Sequence, residues 1–90
     1  MKIYAILESV HFSEGKPIAY LSTLEKAIDY IKANINMDNP NVSEEIDSCY
    51  WHNIFIYDKN EMFDEKNIEN RRFYTDRGVT ALKICPITVE

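Results

Sequence analysis

Hydrophobic residues recur at helical spacing between Ser22 and Asn36, in the stretch STLEKAIDYIKANIN. The apolar positions that share one face are Leu24, Ala27, Ile28, Ile31 and Ile35. Positions three and four residues apart lie on one side of an α-helix, so the spacing predicts an amphipathic helix packed against a core. Ser22 and Glu25 match the S-x-x-E capping box, in which both side chains accept hydrogen bonds from otherwise unpaired backbone amides.

Two strands are predicted before this helix. In residues 2–12 the apolar and polar positions alternate, with Ile3, Ala5 and Leu7 on one face. Residues 13–16 have turn composition, and a second short strand follows from Pro17 to Leu21. The pattern therefore predicts a β-hairpin that leads into the helix.

The pattern after the helix is less regular. Residues 37–49 are rich in Asn, Asp and Ser and predict a loop with at most one helical turn, at 42–47. Residues 50–57, YWHNIFIY, predict a strand that is either central or a covered edge. Residues 58–78 lack a sustained period and predict a loop with one or two helical turns around 64–72.

A last strand is predicted from Val79 to Val89, and Pro86 within it indicates an edge position or a bulge. Ninety residues suffice for one core. The order β-β-α-β-(α)-β predicts a single α+β domain over residues 1–90, with a small, mainly antiparallel sheet and one amphipathic helix on a face. Irregular insertions are expected around 37–49 and 58–78.

The net charge of the chain restricts the partners that it can bind. Ten basic and fifteen acidic residues give a formal charge of −5, which opposes direct binding to nucleic acid. The acids concentrate between positions 44 and 69, where they outnumber Lys59 and Lys66: Glu44, Glu45, Asp47, Asp58, Glu61, Asp64, Glu65 and Glu69. Such a segment is either a solvated face or a surface for a basic partner. The following Arg71 and Arg72 are expected to pair with these acids or to contact phosphate.

No catalytic residue, metal site or cofactor site is expected. The soft ligands Cys49, His52, Cys85 and His11 fall on three separate predicted elements, and positions 49 and 52, which run into one strand, point to opposite faces. Nothing in the sequence supplies the helix N-terminus or cationic neighbour that activates a cysteine nucleophile. The five apolar residues Ile3–Leu7 are too few for a signal peptide, and no apolar run could span a bilayer. We therefore expect a cytoplasmic protein with free thiols and no membrane partner.

The aromatic residues indicate binding. Six tyrosines, four phenylalanines and one tryptophan exceed what a small core can bury, and Tyr and Trp are the preferred anchors of protein interfaces. Trp51, Tyr57 and Phe63 lie among the acids and are the predicted anchors. The full set of predicted partner-binding residues is Glu44, Glu45, Asp47, Trp51, Tyr57, Asp58, Glu61, Phe63, Asp64 and Glu65.

The first forty residues resemble a loose group of uncharacterised bacterial and phage proteins. These open with a strand like MKIYAILES, turn through a hairpin and enter a helix through a signature that here reads Ser22-Thr23-Leu24-Glu25-Lys26-Ala27. The resemblance implies a small α+β domain and no known activity. In size, acidity and lack of motifs the chain is also similar to the small phage-encoded inhibitors of bacterial defence, including anti-CRISPR proteins.

Three function hypotheses follow. The first is a non-enzymatic protein-binding module, an inhibitor that occludes a basic, nucleic-acid-binding surface of a larger CRISPR-type defence protein. The second is a binder of a small molecule or signalling nucleotide, acting as a homodimer whose pocket contains aromatics and Arg71, Arg72 or Arg77. The third is a cysteine- or metal-dependent enzyme.

Overall fold

The computed structural model describes residues 1–10, 15–47, 50–54, 59–75 and 80–89, and for 46–47, 50–54 and 59–60 it describes the backbone alone. Its elements are β1 (Lys2–Val10), β2 (Lys16–Leu21), α1 (Leu24–Asn34), β3 (Val42–Asp47), β4 (Tyr50–Ile54), α2 (Lys59–Met62), a 3₁₀ helix (Ile68–Asn70), β5 (Arg71–Tyr74) and β6 (Thr80–Thr88).

The described strands form one six-stranded sheet in the order β2-β1-β6-β5-β3-β4. Every pair of neighbouring strands is antiparallel. The predicted fold class is therefore confirmed: a small α+β domain in which an antiparallel sheet carries one amphipathic helix. The predicted hairpin is present as β1 and β2, which are paired from Tyr4 with Leu21 to Glu8 with Lys16.

Helix α1 begins one residue later than the capping box predicts. Thr23 is the N-cap, with extended backbone (φ −136°, ψ 156°), and its Oγ1 accepts a hydrogen bond from Lys26 N at 3.1 Å. Ser22 Oγ instead lies 3.2 Å from Lys26 Nζ. With Thr23 as the cap, a lysine occupies the position where the box needs Glu, so the predicted Ser22–Glu25 pairing is wrong although the buried face of the helix is as predicted.

Two strands lie where the sequence predicts irregular structure. Strand β3 occupies Val42–Asp47, in place of the loop or helical turn expected there, and β5 occupies Arg71–Tyr74 within the second expected insertion. These strands pair with each other, with Val42 opposite Phe73. Both side chains are buried, at 2% and 0% exposure. Contact between distant segments, rather than local alternation, therefore determines both strands.

The remaining expectations are met in part. The 3₁₀ helix at Ile68–Asn70 supplies a helical turn in the predicted 64–72 region. Strand β4 is at an edge of the sheet, and residues 55–57 of the predicted strand lie outside the described residues. The edge position or bulge expected at Pro86 is wrong, because β6 is a central strand that pairs with β1 without a register shift. Within the described chain, β5 pairs with β6 only at Leu82 and Ala81. Pro86 lies past this pairing, opposite Tyr4 of β1, so its missing amide donor leaves the β5–β6 ladder intact.

The core lies on the sheet face that α1 covers. Helix α1 contacts β1 and β2, while the 3₁₀ helix contacts β6, so the chain around residues 61–70 covers the part of the sheet farther from β2. The buried cluster consists of Ile6, Ala27, Ile31, Ile35, Val42, Met62, Phe63, Ile68, Phe73, Leu82 and Ile84. Full burial of a Val, Leu, Ile, Phe or Met side chain stabilises the folded state by about 1.5–3 kcal/mol. The core therefore anchors the 61–70 segment as well as α1.

Candidate functional site

Residues 61–69, named here the acidic segment, form a surface that is mainly negatively charged. Glu61, Glu65 and Glu69 are exposed and Asp64 is half-buried. Lys66 is the one basic residue within the segment, so four carboxylates against one ammonium leave a local formal charge of −3. The apolar residues of the same segment, Met62, Phe63 and Ile68, are all buried in the core.

Arg71 anchors the start of this segment. Its side chain is buried, and Nη1 donates hydrogen bonds to the carbonyl oxygens of Glu61 and, at 3.1 Å, of Met62. Its Nε lies 3.4 Å from Oε2 of Glu44 on the neighbouring strand. Of the two alternatives predicted for Arg71, the ion pair is confirmed. Because the guanidinium is committed to internal partners, Arg71 is not available to a ligand, which leaves Arg72 and Arg77 as the other arginines that the second hypothesis names.

Asp64 organises the turn in the middle of the acidic segment. Its Oδ1 accepts a hydrogen bond from Lys66 N at 3.2 Å, and its Oδ2 accepts one from Asn67 Nδ2 at 3.0 Å. Its backbone carbonyl accepts from Asn67 N at 3.1 Å and Ile68 N at 2.9 Å. These bonds are the local pattern by which Asp stabilises turns. The carboxylate of Asp64 is thus structural, and Glu61, Glu65 and Glu69 are the acids that the segment presents outward.

Phe63 is a core residue, which corrects its assignment as a surface anchor. It is 9% exposed and stacks on Phe73, with ring centroids 5.3 Å apart and planes inclined by 10°. The ammonium of Lys32 lies 5.1 Å from the Phe63 ring centroid and covers its outer side. Aromatic residues among acids are consistent with an interface, but here the stacking on Phe73 accounts for this ring.

The other predicted partner-binding residues that the structure describes lie on the paired strands β3 and β4. Glu44 is committed to Arg71, whereas Glu45 is half-buried on the opposite face of β3. In the register of β3 and β4, Glu45 pairs with Trp51 and Asp47 with Tyr50. The side chains of Asp47 and Trp51 are not among those described, and Tyr57 and Asp58 lie outside the described residues.

A groove of about 300 Å³ lies at the C-terminal end of α1. Residues from both helix and sheet line it: Glu8, Ile18, Tyr30, Ala33, Asn34, Ile35, Thr75, Thr80 and Leu82. A register shift after Ile6 leaves Ile18 of β2 outside the regular pairing with β1, and Ile18 lines the groove. The groove could not be predicted from the sequence because its residues come from distant segments and share no motif.

The soft ligands form no centre in the described part of the chain. No group of three or more His, Cys, Asp or Glu residues there could hold a metal ion. Cys85 is a free thiol, with Sγ 3.9 Å from the carbonyl oxygen of Pro86. His11 and Cys49 lie outside the described residues, and the His52 side chain is not described.

No helix within the described ranges has the length and apolar character needed to cross a bilayer. In comparisons with known proteins, no family model, no curated protein and no solved structure matched this chain at a significant level.

Proposed function

We propose that this chain is a non-enzymatic binding module whose acidic segment docks on a basic surface of a larger protein. The observation that carries the proposal is that the acidic segment exposes three carboxylates, those of Glu61, Glu65 and Glu69, on an ordered backbone. Arg71 donates hydrogen bonds to the first two carbonyls of the segment. The side chains of Met62, Phe63 and Ile68 anchor the rest of the segment in the core. A charged surface that is already ordered loses little conformational entropy on binding.

The chemistry of the segment selects its partner. Exposed carboxylates at the rim of an interface accelerate encounter with a positive surface and repel negatively charged competitors. Proteins that hold nucleic acid present positive surfaces of this kind, including the channel in which RNA-guided nucleases hold a guide–target duplex. We propose such a nuclease of a CRISPR-type defence system as the partner, and steric occlusion of its nucleic-acid-binding surface as the mechanism.

Two triple variants of equal charge change test the role of the acidic segment. In the first, Glu61→Gln, Glu65→Gln and Glu69→Gln neutralise the segment. In the matched control, Glu25→Gln, Asp29→Asn and Asp38→Asn neutralise three exposed acids of α1 and the turn after it. Both variants change the net charge from −5 to −2, since each removes three negative charges. Any difference in association rate between the two variants therefore depends on where the charges lie and not on the total charge.

Association with a panel of purified RNA-guided nucleases, each loaded with its guide RNA, is measured by surface plasmon resonance at low and high salt. We expect the segment variant to lower the association rate about tenfold and the control variant to lower it much less. Duplex DNA carrying the target sequence should compete with wild-type protein. Equal rates for the two triple variants would overturn the role of the acidic segment, and absence of binding to every nuclease would overturn the proposed partner class.

A further inference from the structure

The groove at the end of α1 contains a carboxylate that lacks an ionic partner in the described chain. Glu8 is half-buried there, and no described lysine, arginine or histidine forms an ion pair with it. Glu44, the comparable half-buried acid of β3, is paired with Arg71. A partly buried carboxylate without an ionic partner favours a positively charged ligand, and the pair of Glu44 with Arg71 shows that this chain matches such an acid with a guanidinium.

The end of α1 adds to the negative potential. Ala33, Asn34 and Ile35 line the groove, and the last carbonyls of a helix carry partial negative charge because they have no intrahelical donor. Lys32 is the basic residue of the last turn, but its ammonium lies over the Phe63 ring. Asn34 Nδ2 satisfies one carbonyl, that of Tyr30, at 2.7 Å. The groove thus combines the Glu8 carboxylate with the negative end of the helix dipole, and both favour a positively charged ligand.

The remaining walls suit a cation with a flat head and an apolar stem. Tyr30 supplies an aromatic ring, against which a guanidinium can stack. Ile18, an exposed side chain, supplies apolar surface for methylene groups, and Thr80 supplies a hydroxyl. The volume, about 300 Å³, is at the lower limit for ligand sites and suits one long side chain rather than a nucleotide.

We infer that this groove receives the side chain of an arginine on the partner protein, its guanidinium pairing with Glu8 and stacking on Tyr30. This inference rests on the proposed function, because the arginine would belong to the basic surface that the acidic segment approaches. An arginine fits better than a lysine because its planar fork can donate to a carboxylate and a carbonyl together, whereas an ammonium is a single, strongly hydrated charge.

The test is an amide-resolved NMR titration of the protein with N-acetyl-arginine methylamide. The citrulline analogue, which has the same shape without the charge, and the lysine analogue serve as controls. We expect saturable shifts at Ile18, Asn34 and Thr80 with a Kd of about 1 mM, as befits one side chain. Glu8→Gln should weaken binding about tenfold, whereas Glu25→Gln, at an exposed site on α1, should leave it unchanged.

The outcomes separate this inference from the function on which it rests. Equal shifts with citrulline, or an unchanged Kd in a folded Glu8→Gln variant, would overturn the cation site, and equal affinity for the lysine analogue would overturn the choice of arginine. If the titration fails while nucleases still bind through the acidic segment, only the groove assignment falls. If arginine binds as expected but no nuclease does, the proposed function falls and the groove assignment remains.

Discussion

Arg71 and Glu44 join strands β5 and β3 through an ion pair in which Nε lies 3.4 Å from Oε2, with side-chain exposures of 9% and 26%. The same guanidinium binds the carbonyls of Glu61 and Met62, so one side chain links both strands to the start of the acidic segment. Loss of Arg71 would therefore disturb the sheet and the proposed binding surface together.

Replacing Arg71 with methionine should lower the free energy of unfolding by about 3 kcal/mol, because Glu44 would be left half-buried without a partner and two carbonyls would lose a donor. Arg71→Lys keeps the charge without the planar fork and should still cost about 1 kcal/mol or more. Urea denaturation measures both changes.

Lys66→Met is the matched control for Arg71→Met, since Lys66 is exposed in the same region and should change stability by less than about 0.5 kcal/mol. A double variant, Arg71→Met with Glu44→Leu, should be more stable than Arg71→Met alone because it removes the orphaned carboxylate. If Arg71→Met were no more destabilising than Lys66→Met, the anchoring role of Arg71 would be wrong.

The sequence predicted best those elements whose pattern is local. The apolar spacing of α1 and the alternation in β1 follow from residues a few positions apart, and both elements were predicted close to their observed bounds. Among the side chains of β3 that the structure describes, the buried apolar one is Val42. Strand β5 is only four residues long. Neither carries a periodic signal, and each depends on the contact between Val42 and Phe73.

The same distinction applies to the site. The excess of acids was visible in the sequence, and Glu61 and Glu65 are exposed as a binding surface requires. Whether an acid or an aromatic ring faces inward depends on which distant residue meets it: Arg71 engages Glu44, and Phe73 engages Phe63. Glu8 was not predicted as a site residue because its neighbours in the groove come from four other segments of the chain.

The assignment of Thr23 as the N-cap of α1 can be tested by removing the hydroxyl of Thr23 and, separately, that of Ser22. Thr23→Ala removes the acceptor of Lys26 N and should lower stability by about 1 kcal/mol. Ser22→Ala removes an exposed contact to the Lys26 ammonium and should change stability by less than about 0.5 kcal/mol. Thermal unfolding of the two variants side by side measures the difference. A larger loss for Ser22→Ala would restore the capping box that the sequence predicted.

The stack of Phe63 on Phe73 can be measured by a double-mutant cycle. Phe63→Ala should lower the free energy of unfolding by about 3 kcal/mol, as deletion of a core ring does, whereas Tyr20→Ala, at a side chain 61% exposed, should cost less than about 1 kcal/mol. Phe63→Leu and Phe73→Leu, alone and combined, should give a coupling of about 1 kcal/mol, because leucine keeps apolar volume but loses the ring geometry. If Phe63→Ala left stability unchanged, Phe63 would be available to a partner after all.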